Sequence, residues 1–466
     1  MIRDRYAAVD LFALIPEWHL QFEPELAELD WLLTDDELFQ QVKADLAQRY
    51  PRSTQTGRPS TPVEVVLRLL VVKHLYGWSY EQTERFVNDS VVLRQFCRVY
   101  LAPVPDDTTL LRWANLIAPA TLHRLLDRVA ELARSLKVTR GRKLRLDSTV
   151  VETEIHHPSD STLLADGVRV LSRLVRRAKA VADAGTAAGR ALWRDRTRAA
   201  KRLARRIGAT MVHQKEAREQ ERRALYERLL AVARASHRQA ERVRRLLEPG
   251  STAATDRLCA ALDRFVPLVE QVIVQAARRV LHGERVPAGE KVLSLFEPHT
   301  AILRRGKARQ PTEFGAKVVL DEVEGGLVTR YTVCAGNADD ALSLPDGLTH
   351  HRRCFGRAPH LIAADRHFYS GENCRLAAAA GVRRVVLPKR GQPGRGDAAR
   401  ERQRWFRRGH RFRAGIEGRI SVLKRRFGLR RCRYHGVAGM ERWVGWGLLA
   451  HNLRTISRTV AQRRVA

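Results

Sequence analysis

The distribution of hydrophobic positions over residues 1–135 is typical of short helices joined by tight turns. The run VEVVLRLLVVKHLY starts after the Ser-Thr-Pro sequence at 60–62, where we expect an N-cap and a first-turn proline, and it ends at Gly77. A capping box at 79–82 predicts the start of the next helix. Such short helices fit either a helix-turn-helix-like DNA-binding module or an ordinary helical bundle.

From residue 140 onward the pattern indicates both strands and helices. Residues 143–153 have strand character, and the stretch from about 160 to 285 is helical again and rich in Ala, Leu and Arg. After it, the pattern predicts further strands at 292–296, 314–323, 327–336, 360–368 and 383–391, and helices after Ser370 and at about 409–427 and 437–458. This order predicts an α/β mixed sheet with flanking helices and a long helical segment inserted after the first strand.

The charge of the chain indicates a polyanionic partner. The 466 residues include 84 Lys+Arg and 51 Asp+Glu, a formal net charge of +33 with a pI near 11.0. Nucleic acid is the simplest partner for so basic a protein. Between residues 160 and 250 there are 23 Lys+Arg and 10 Asp+Glu, so the helical segment has enough surplus charge to lie against phosphates.

Neither the N-terminus nor the cysteines indicate secretion or a membrane. The N-terminal sequence carries Asp and Arg where a signal peptide would be apolar, and no uncharged run approaches a membrane span. The cysteines form no CxxC motif and their spacing from histidines is not that of zinc ligands, so we expect scattered, reduced thiols and an intracellular protein. They are Cys97, Cys259, Cys334, Cys354, Cys374 and Cys432.

Two aspartates interrupt or follow predicted strands. Asp147 lies within the first strand, where a carboxylate is costly unless a hydrogen bond, a cation or a metal compensates it. Asp365 follows the apolar run at 361–364. Because sites in open α/β sheets gather at the carboxyl ends of strands, these side chains would form an oxygen-lined pocket suited to Mg²⁺ or Mn²⁺.

A third acid is expected from the helix near residue 417. At about 100° per residue, His410, Arg413, Glu417 and Lys424 lie on one face. That face adjoins the apolar one formed by Ile416, Ile420, Leu423 and Phe427. The alternative is a surface helix on which Arg413 and Glu417 form an ordinary i,i+4 ion pair.

The sequence resembles the insertion-sequence transposases of the DDE type. Many of these carry the signature Y-(2)-R-(3)-E-(6)-K, and Arg413, Glu417 and Lys424 keep its spacing, with His410 in the Tyr position. The segments LRLDSTVVET and IAADRHFYSGEN resemble the surroundings of the first two acids. The stretch STPVEVVLRLLVVKHLYGWSYEQTERFVNDS is similar to the helical region that precedes the catalytic domain in these proteins.

The resemblance implies a fold and a domain order. We expect a ribonuclease-H-like mixed sheet with flanking helices, formed by residues 140–160 and 288–460. It would be preceded by an N-terminal all-α DNA-binding domain over 1–135. The basic helical insertion would cover 161–287.

The resemblance also implies a mechanism, in which two Mg²⁺ (or Mn²⁺) ions cut and join phosphodiesters. Asp147 would bridge both ions, Asp365 would bind one and Glu417 the other. Arg413 and Lys424 would hold phosphates, and His410 would contact DNA beside them. The partners would be the element's terminal inverted repeats and the target DNA, bound by at least a dimer in the cytoplasm of a prokaryote, associated with the nucleoid.

Two other functions remain open at this point. The same three acids would serve a ribonuclease-H-like nuclease that cuts without strand transfer. A domesticated, non-catalytic DNA-binding protein would keep the basic surface but would not need the acids.

Overall fold

The structure is a computed structural model that describes residues 3–6, 22–49, 60–181, 194–210, 216–247, 249–250, 252–304, 312–392 and 394–465. By its internal contacts the chain divides into two compact units. The first comprises Met1–Thr153 and Leu303–Ala466, and the second Glu154–Ile302. The three-domain division expected from the sequence stays a prediction. No helix among the described residues has the length and apolar composition that crossing a membrane requires.

Short helices form the N-terminal part of the first unit. They are α1 (Pro24–Leu32), α2 (Asp36–Ala47), α3 (Val63–Tyr76), α4 (Tyr80–Asp89), α5 (Val91–Phe96), α6 (Asp107–Leu116) and α7 (Pro119–Ser135). The capping box predicted for α4 is present, with reciprocal hydrogen bonds between Ser79 and Gln82. The end of α3 at Gly77 is also confirmed, because this residue adopts φ 72°.

The start of α3 differs from the expectation. Pro62 occupies the N-cap position, and no side chain caps the helix. Instead, the backbone carbonyls of Arg3 and Asp4 accept hydrogen bonds from the first amides of α3, those of Val63 and Glu64. A segment more than fifty residues away along the chain therefore satisfies this helix end, which short-range patterns do not reveal.

A mixed sheet forms the second half of the first unit. Its strands are β1 (Lys143–Thr153), β2 (Ala301–Arg304), β3 (Thr312–Val323), β4 (Leu327–Cys334), β5 (Leu361–Ala363), β6 (Arg384–Val386) and β7 (Arg431–Cys432). The sheet order is β2-β3-β1-β5-β6, with β4 also paired to β3 and β7 to β1. β3 is antiparallel to β1 and to β4, whereas β5, β6 and β7 run parallel to their neighbours. The predicted α/β class is thus confirmed.

The helices of this half pack around the sheet. They are α12 (Ser343–Phe355), α13 (Gly371–Ala379), α14 (Arg395–Arg402), α15 (Arg404–Arg426) and α16 (Gly436–Val465). Helix α16 contacts α1, α3, α7 and β4. Its Trp446 is fully buried and Trp443 nearly so. One hydrophobic core consequently includes both the N-terminal helices and the sheet.

The second unit is helical and has its own core. Helices α8 (Asp160–Val181), α9 (Thr197–Thr210), α10 (Glu216–Leu246) and α11 (Ala253–Val280) contact one another. Leucine, valine and alanine side chains from all four helices fill the interior. The basic residues lie mostly on the outer faces, because burying an arginine without an ion-pair partner has a high free-energy cost.

The strand predicted at 292–296 is wrong. Val292 lies in an extended segment, but its amide donates to the side-chain carbonyl of Gln275 at 2.9 Å and its carbonyl accepts from the same side chain at 3.5 Å. A glutamine of α11 thus takes the place of a neighbouring strand. Val292 and Leu295 bury their side chains in the core of the helical unit, which explains the apolar pattern.

Candidate active site

Register in the sheet sets two aspartates side by side. Strand β1 pairs with the parallel strand β5 so that Arg145 lies opposite Ala363. Two residues further along, the chain reaches Asp147 on one strand and Asp365 just past the end of the other. Asp365 also begins the 3-10 turn Arg366–Phe368, where its Oδ1 accepts from the His367 amide at 2.8 Å.

Helix α15 lies close to this part of the sheet because it carries glycines on its inner face. A Cβ at Gly409 would collide with Val386 of β6, and one at Gly415 would collide with the Arg145 guanidinium. The Nη1 of Arg145 also donates to the carbonyl of Phe412. Close helix–sheet packing therefore brings the polar residues of α15 over the strand ends.

The Arg413 guanidinium lies among three carboxylates. Its Nη1 is 2.7 Å from Oε1 of Glu417, and its Nη2 is 3.2 Å from Oδ2 of Asp147 and 3.8 Å from Oδ2 of Asp365. The Arg413 side chain is only 14% exposed, whereas that of Glu417 is 64% exposed. The acids thus range from buried Asp147, through half-buried Asp365, to Glu417 at the solvent edge.

A buried ionic network, which the sequence reasoning missed, fixes α15 to the sheet. Glu322 of β3 is fully buried and pairs with Arg145 through two hydrogen bonds of 2.9 and 2.6 Å. Arg419 of α15 donates to the same carboxylate at 3.2 Å and to Nε2 of His451 at 3.1 Å. Burial, with the neighbouring Arg419, lowers the pKa of His451 to about 3, so the neutral ring accepts this bond. The sequence contained an indication of this network, because Arg145 and Glu322 are charged residues within apolar strands. The structure shows that they are cross-strand partners.

A positively charged cleft opens beside the acids. It has a volume of about 860 Å³ and includes His410 of α15. Its other lining residues are Arg366, Pro388, Glu401, Arg404, Phe406, Arg407 and Arg411. The four arginines are exposed and have no ion-pair partner among the described residues. Such a surface suits the phosphate backbone of a nucleic acid.

The predicted site residues on α15 do not all lie in one place. Arg413 and Glu417 contact each other and lie at the aspartates, whereas His410 faces the cleft. Lys424 is half-buried, about two turns beyond Glu417 on the same helix.

The donor set of the pocket fits a hard divalent cation. Three carboxylates converge on one positive group, and carboxylate oxygens are the ligands that Mg²⁺ and Mn²⁺ prefer. The aspartates contact Nη2 of Arg413 and Glu417 contacts Nη1, and among the described residues the three are not a group whose ligand oxygens all lie within 4.8 Å of one another. That these three residues hold the divalent ions expected from the sequence stays a prediction.

A second polar cluster contradicts the expectation that no cysteine lies at metal-ligand spacing from a histidine. Cys354 lies one turn after His350 on α12, and its Sγ is 3.6 Å from Nε2 of that ring. Asp127 of α7 completes the group, with its Oδ1 2.7 Å from the same nitrogen. The four-residue spacing on α12 places the thiol of Cys354 beside the ring of His350. The third member of the group, Asp127, comes from a helix distant in sequence.

The mixed sheet has acidic side chains at its strand ends, and the transposase DDE domain that the chain matches implies a ribonuclease-H-like fold. Comparison with protein families gives the particular class. Residues 10–116 match a transposase domain (DUF772), and residues 317–453 match a transposase DDE domain. Both matches support an insertion-sequence transposase of the DDE type, and the resemblance found in the sequence is confirmed. Asp365 and Glu417 lie within the second matched segment, and Asp147 lies outside both.

The similarity to curated proteins covers less of the chain. The "Uncharacterized protein ORF8 in nfe locus" of Rhizobium meliloti is 32% identical over 131 residues, which is 26% of this chain and 61% of that protein. The chain thus spans about three fifths of the curated relative that it matches. No solved structure gives a significant match.

Proposed function

We propose that this protein is a DNA transposase that cuts the ends of an insertion sequence and joins the freed 3′-OH to target DNA. The observation that carries the proposal is the group of three carboxylates around Arg413. Two of them follow from the sheet register and the third from α15. The transposase families matched by the chain support the same conclusion, because transposases act on DNA.

In this proposal Asp147, Asp365 and Glu417 hold two divalent ions. Asp147, the most buried of the three, would be the shared ligand, and Asp365 and Glu417 would each hold one ion. Bound ions would supply the Lewis acidity that activates the attacking oxygen and stabilises the leaving oxygen. The protein orients the carboxylates by fixed backbone contacts: the Ser148 amide donates to Asp147 and the His367 amide to Asp365.

The cations around the pocket position the DNA. Arg413 moves from the carboxylates to a phosphate beside the scissile bond, and Lys424 holds a phosphate further along α15. His410 and the arginines of the cleft contact the backbone next to it. Two element ends must meet for transposition, so at least two copies of the chain act together on double-stranded DNA, in the cytoplasm.

The test uses the full-length protein and a labelled DNA fragment that carries an end of its element. Asp147→Asn, Asp365→Asn and Glu417→Gln should each abolish Mg²⁺-dependent cleavage while DNA binding remains. Glu372→Gln, an exposed acid at the start of α13, is the matched control and should cut normally. Cleavage by any one of the three variants would remove that residue from the site.

A second measurement separates transposition from simple nuclease activity. A pre-cut end with a free 3′-OH is incubated with supercoiled target DNA and Mg²⁺. A transposase gives a joined product, and Asp147→Asn does not. Cutting without any joined product would instead favour the nuclease.

A further inference from the structure

Three potential metal ligands of different chemistry meet between α7 and α12, outside the carboxylate pocket. They are Asp127 of α7 and the pair His350 and Cys354, one turn apart on α12. His350 is only 13% exposed and Asp127 26% exposed, and Cys354 is half-buried. Nitrogen, sulfur and oxygen ligands together select borderline metals rather than magnesium.

The distances within this cluster resemble those of a tetrahedral zinc centre. With Zn–S near 2.3 Å and Zn–N near 2.0–2.1 Å, sulfur and nitrogen ligands are about 3.6 Å apart. The Sγ of Cys354 is 3.6 Å from both Nε2 of His350 and Oδ1 of Asp127. The 2.7 Å hydrogen bond between Asp127 and His350 would need to open by about 0.6 Å, a small side-chain movement.

The geometry differs from that of a proton relay with a nucleophilic cysteine. In a relay, the acid and the nucleophile contact different nitrogens of the imidazole ring. Here the carboxylate and the thiol both lie nearest to Nε2 of His350, with the thiol 3.9 Å from Nδ1. Three ligand atoms that converge on one point suit a metal ion better than proton transfer.

The second oxygen of Asp127 is already bound. Its Oδ2 accepts from Nη2 of Arg353 at 2.8 Å, so Oδ1 alone faces the histidine and the cysteine. This contact orients the carboxylate as a ligand with one available oxygen, as outer-shell partners do in metal sites. Arg353 is 68% exposed, so solvent screens much of its charge.

We propose that Asp127, His350 and Cys354 bind a zinc ion, with water as the fourth ligand, and that this ion joins α7 to α12. Helix α7 ends the N-terminal helical part and α12 packs beside the sheet, so the ion would hold these two parts together. Because the native state binds the metal through residues far apart in sequence, zinc should stabilise it.

The direct test is metal binding by the full-length protein after removal of metals with a chelator. Zinc should bind with one equivalent per chain that depends on Cys354, and this binding should raise the midpoint of thermal unfolding. Cobalt(II), used as a spectroscopic substitute, should give the visible bands of tetrahedral coordination and a thiolate charge-transfer band. Cys354→Ser and His350→Ala should lose the charge-transfer band and the thermal shift, and Cys374→Ser, which alters another half-buried thiol, should keep both.

Asp147→Asn distinguishes this site from the carboxylate pocket, because it should leave cobalt binding at Cys354 unchanged. If the spectrum depended on Asp147 and not on Cys354, the proposal would be wrong. If Cys354→Ser fails to fold, a measurement on the wild-type protein still tests the proposal. Zinc must slow alkylation of Cys354 relative to Cys374, measured by peptide mass spectrometry, and equal protection would refute the site.

Discussion

The Nη1 of Arg413 lies 2.7 Å from Oε1 of Glu417, one turn further along α15. This is the i,i+4 ion pair that a surface helix would also form. The same guanidinium, however, reaches Asp147 and Asp365 from a position that is 86% buried. The pair is therefore part of a pocket, and Arg413 balances the charge of three acids.

Arg413→Gln should bind Mn²⁺ more tightly but cut DNA less efficiently. The guanidinium competes with a divalent ion for the carboxylates, since two like charges about 4 Å apart repel by ~4 kcal/mol at an effective dielectric of 20. We expect at least about a tenfold gain in Mn²⁺ affinity, measured by electron paramagnetic resonance titration. Cleavage should fall because a phosphate contact is lost.

Arg411→Gln is the control for this prediction, since it removes the same charge from an exposed position on the same helix. Its affinity for Mn²⁺ should change little. Weaker Mn²⁺ binding in Arg413→Gln than in the wild type would contradict the view that this arginine occupies the position of a cation.

Short-range patterns predicted much of the fold. The strand at 143–153 is confirmed as β1, and 314–323 and 327–336 contain most of β3 and β4. Apolar runs and turn residues determine these elements, so a single sequence reveals them. The roles of Asp147, Asp365 and Glu417 stay predictions, and their proximity depends on a register that the sequence only suggested.

What the sequence did not reveal depends on contacts between distant segments. Glu322 meets Arg145 through cross-strand register, and Asp127 meets Cys354 through helix packing. The extended segment at Val292 pairs with a side chain instead of a strand. None of these partners can be chosen from local periodicity, because each lies far away along the chain.

Glu322→Gln should destabilise the protein substantially. The change leaves Arg145 and Arg419 without their shared carboxylate, and breaking a buried ion pair on one side costs about 3–5 kcal/mol. Urea denaturation measures the free energy of unfolding. Glu372→Gln, which alters an exposed carboxylate, should change it by less than about 0.5 kcal/mol. A loss below about 1 kcal/mol in Glu322→Gln would show that the network does not fix α15.

His451 should make stability depend on pH. Its pKa is about 3 in the folded protein, against 6.5 for an ordinary histidine, so between these values the unfolded chain binds a proton that the folded chain does not. The His451 contribution is fully present above pH 6.5 and is lost as the pH falls, by up to ~1.4 kcal/mol per pH unit. The neutral ring is needed because Nε2 accepts from Arg419.

His451→Gln should therefore flatten the fall in unfolding free energy between pH 7 and pH 5, relative to the wild type. Glutamine has no titrating group and can still accept a hydrogen bond. The same slope in His451→Gln and in the wild type would mean that other groups cause the acid sensitivity.

The helical unit should bind DNA through two exposed arginines of α10. Arg234 and Arg238 of α10 line a cleft of about 410 Å³ together with His237, and neither arginine has an ion-pair partner among the described residues. Within the same cleft, Nε2 of His237 is buried without a hydrogen bond in that part of the chain. Arg244, further along α10, is instead held by Asp263 through bonds of 2.6 and 3.0 Å.

Each phosphate contact releases counterions, so its loss reduces the slope of log K against log salt by about one. Arg234→Gln with Arg238→Gln should weaken DNA binding at every sequence tested and lower the slope by about two, measured by fluorescence anisotropy at several salt concentrations. Arg244→Gln is the matched control, because its charge is already neutralised by Asp263 and its slope should stay at the wild-type value. If all three substitutions lowered the slope equally, DNA binding would depend on the overall charge of the unit and not on this cleft.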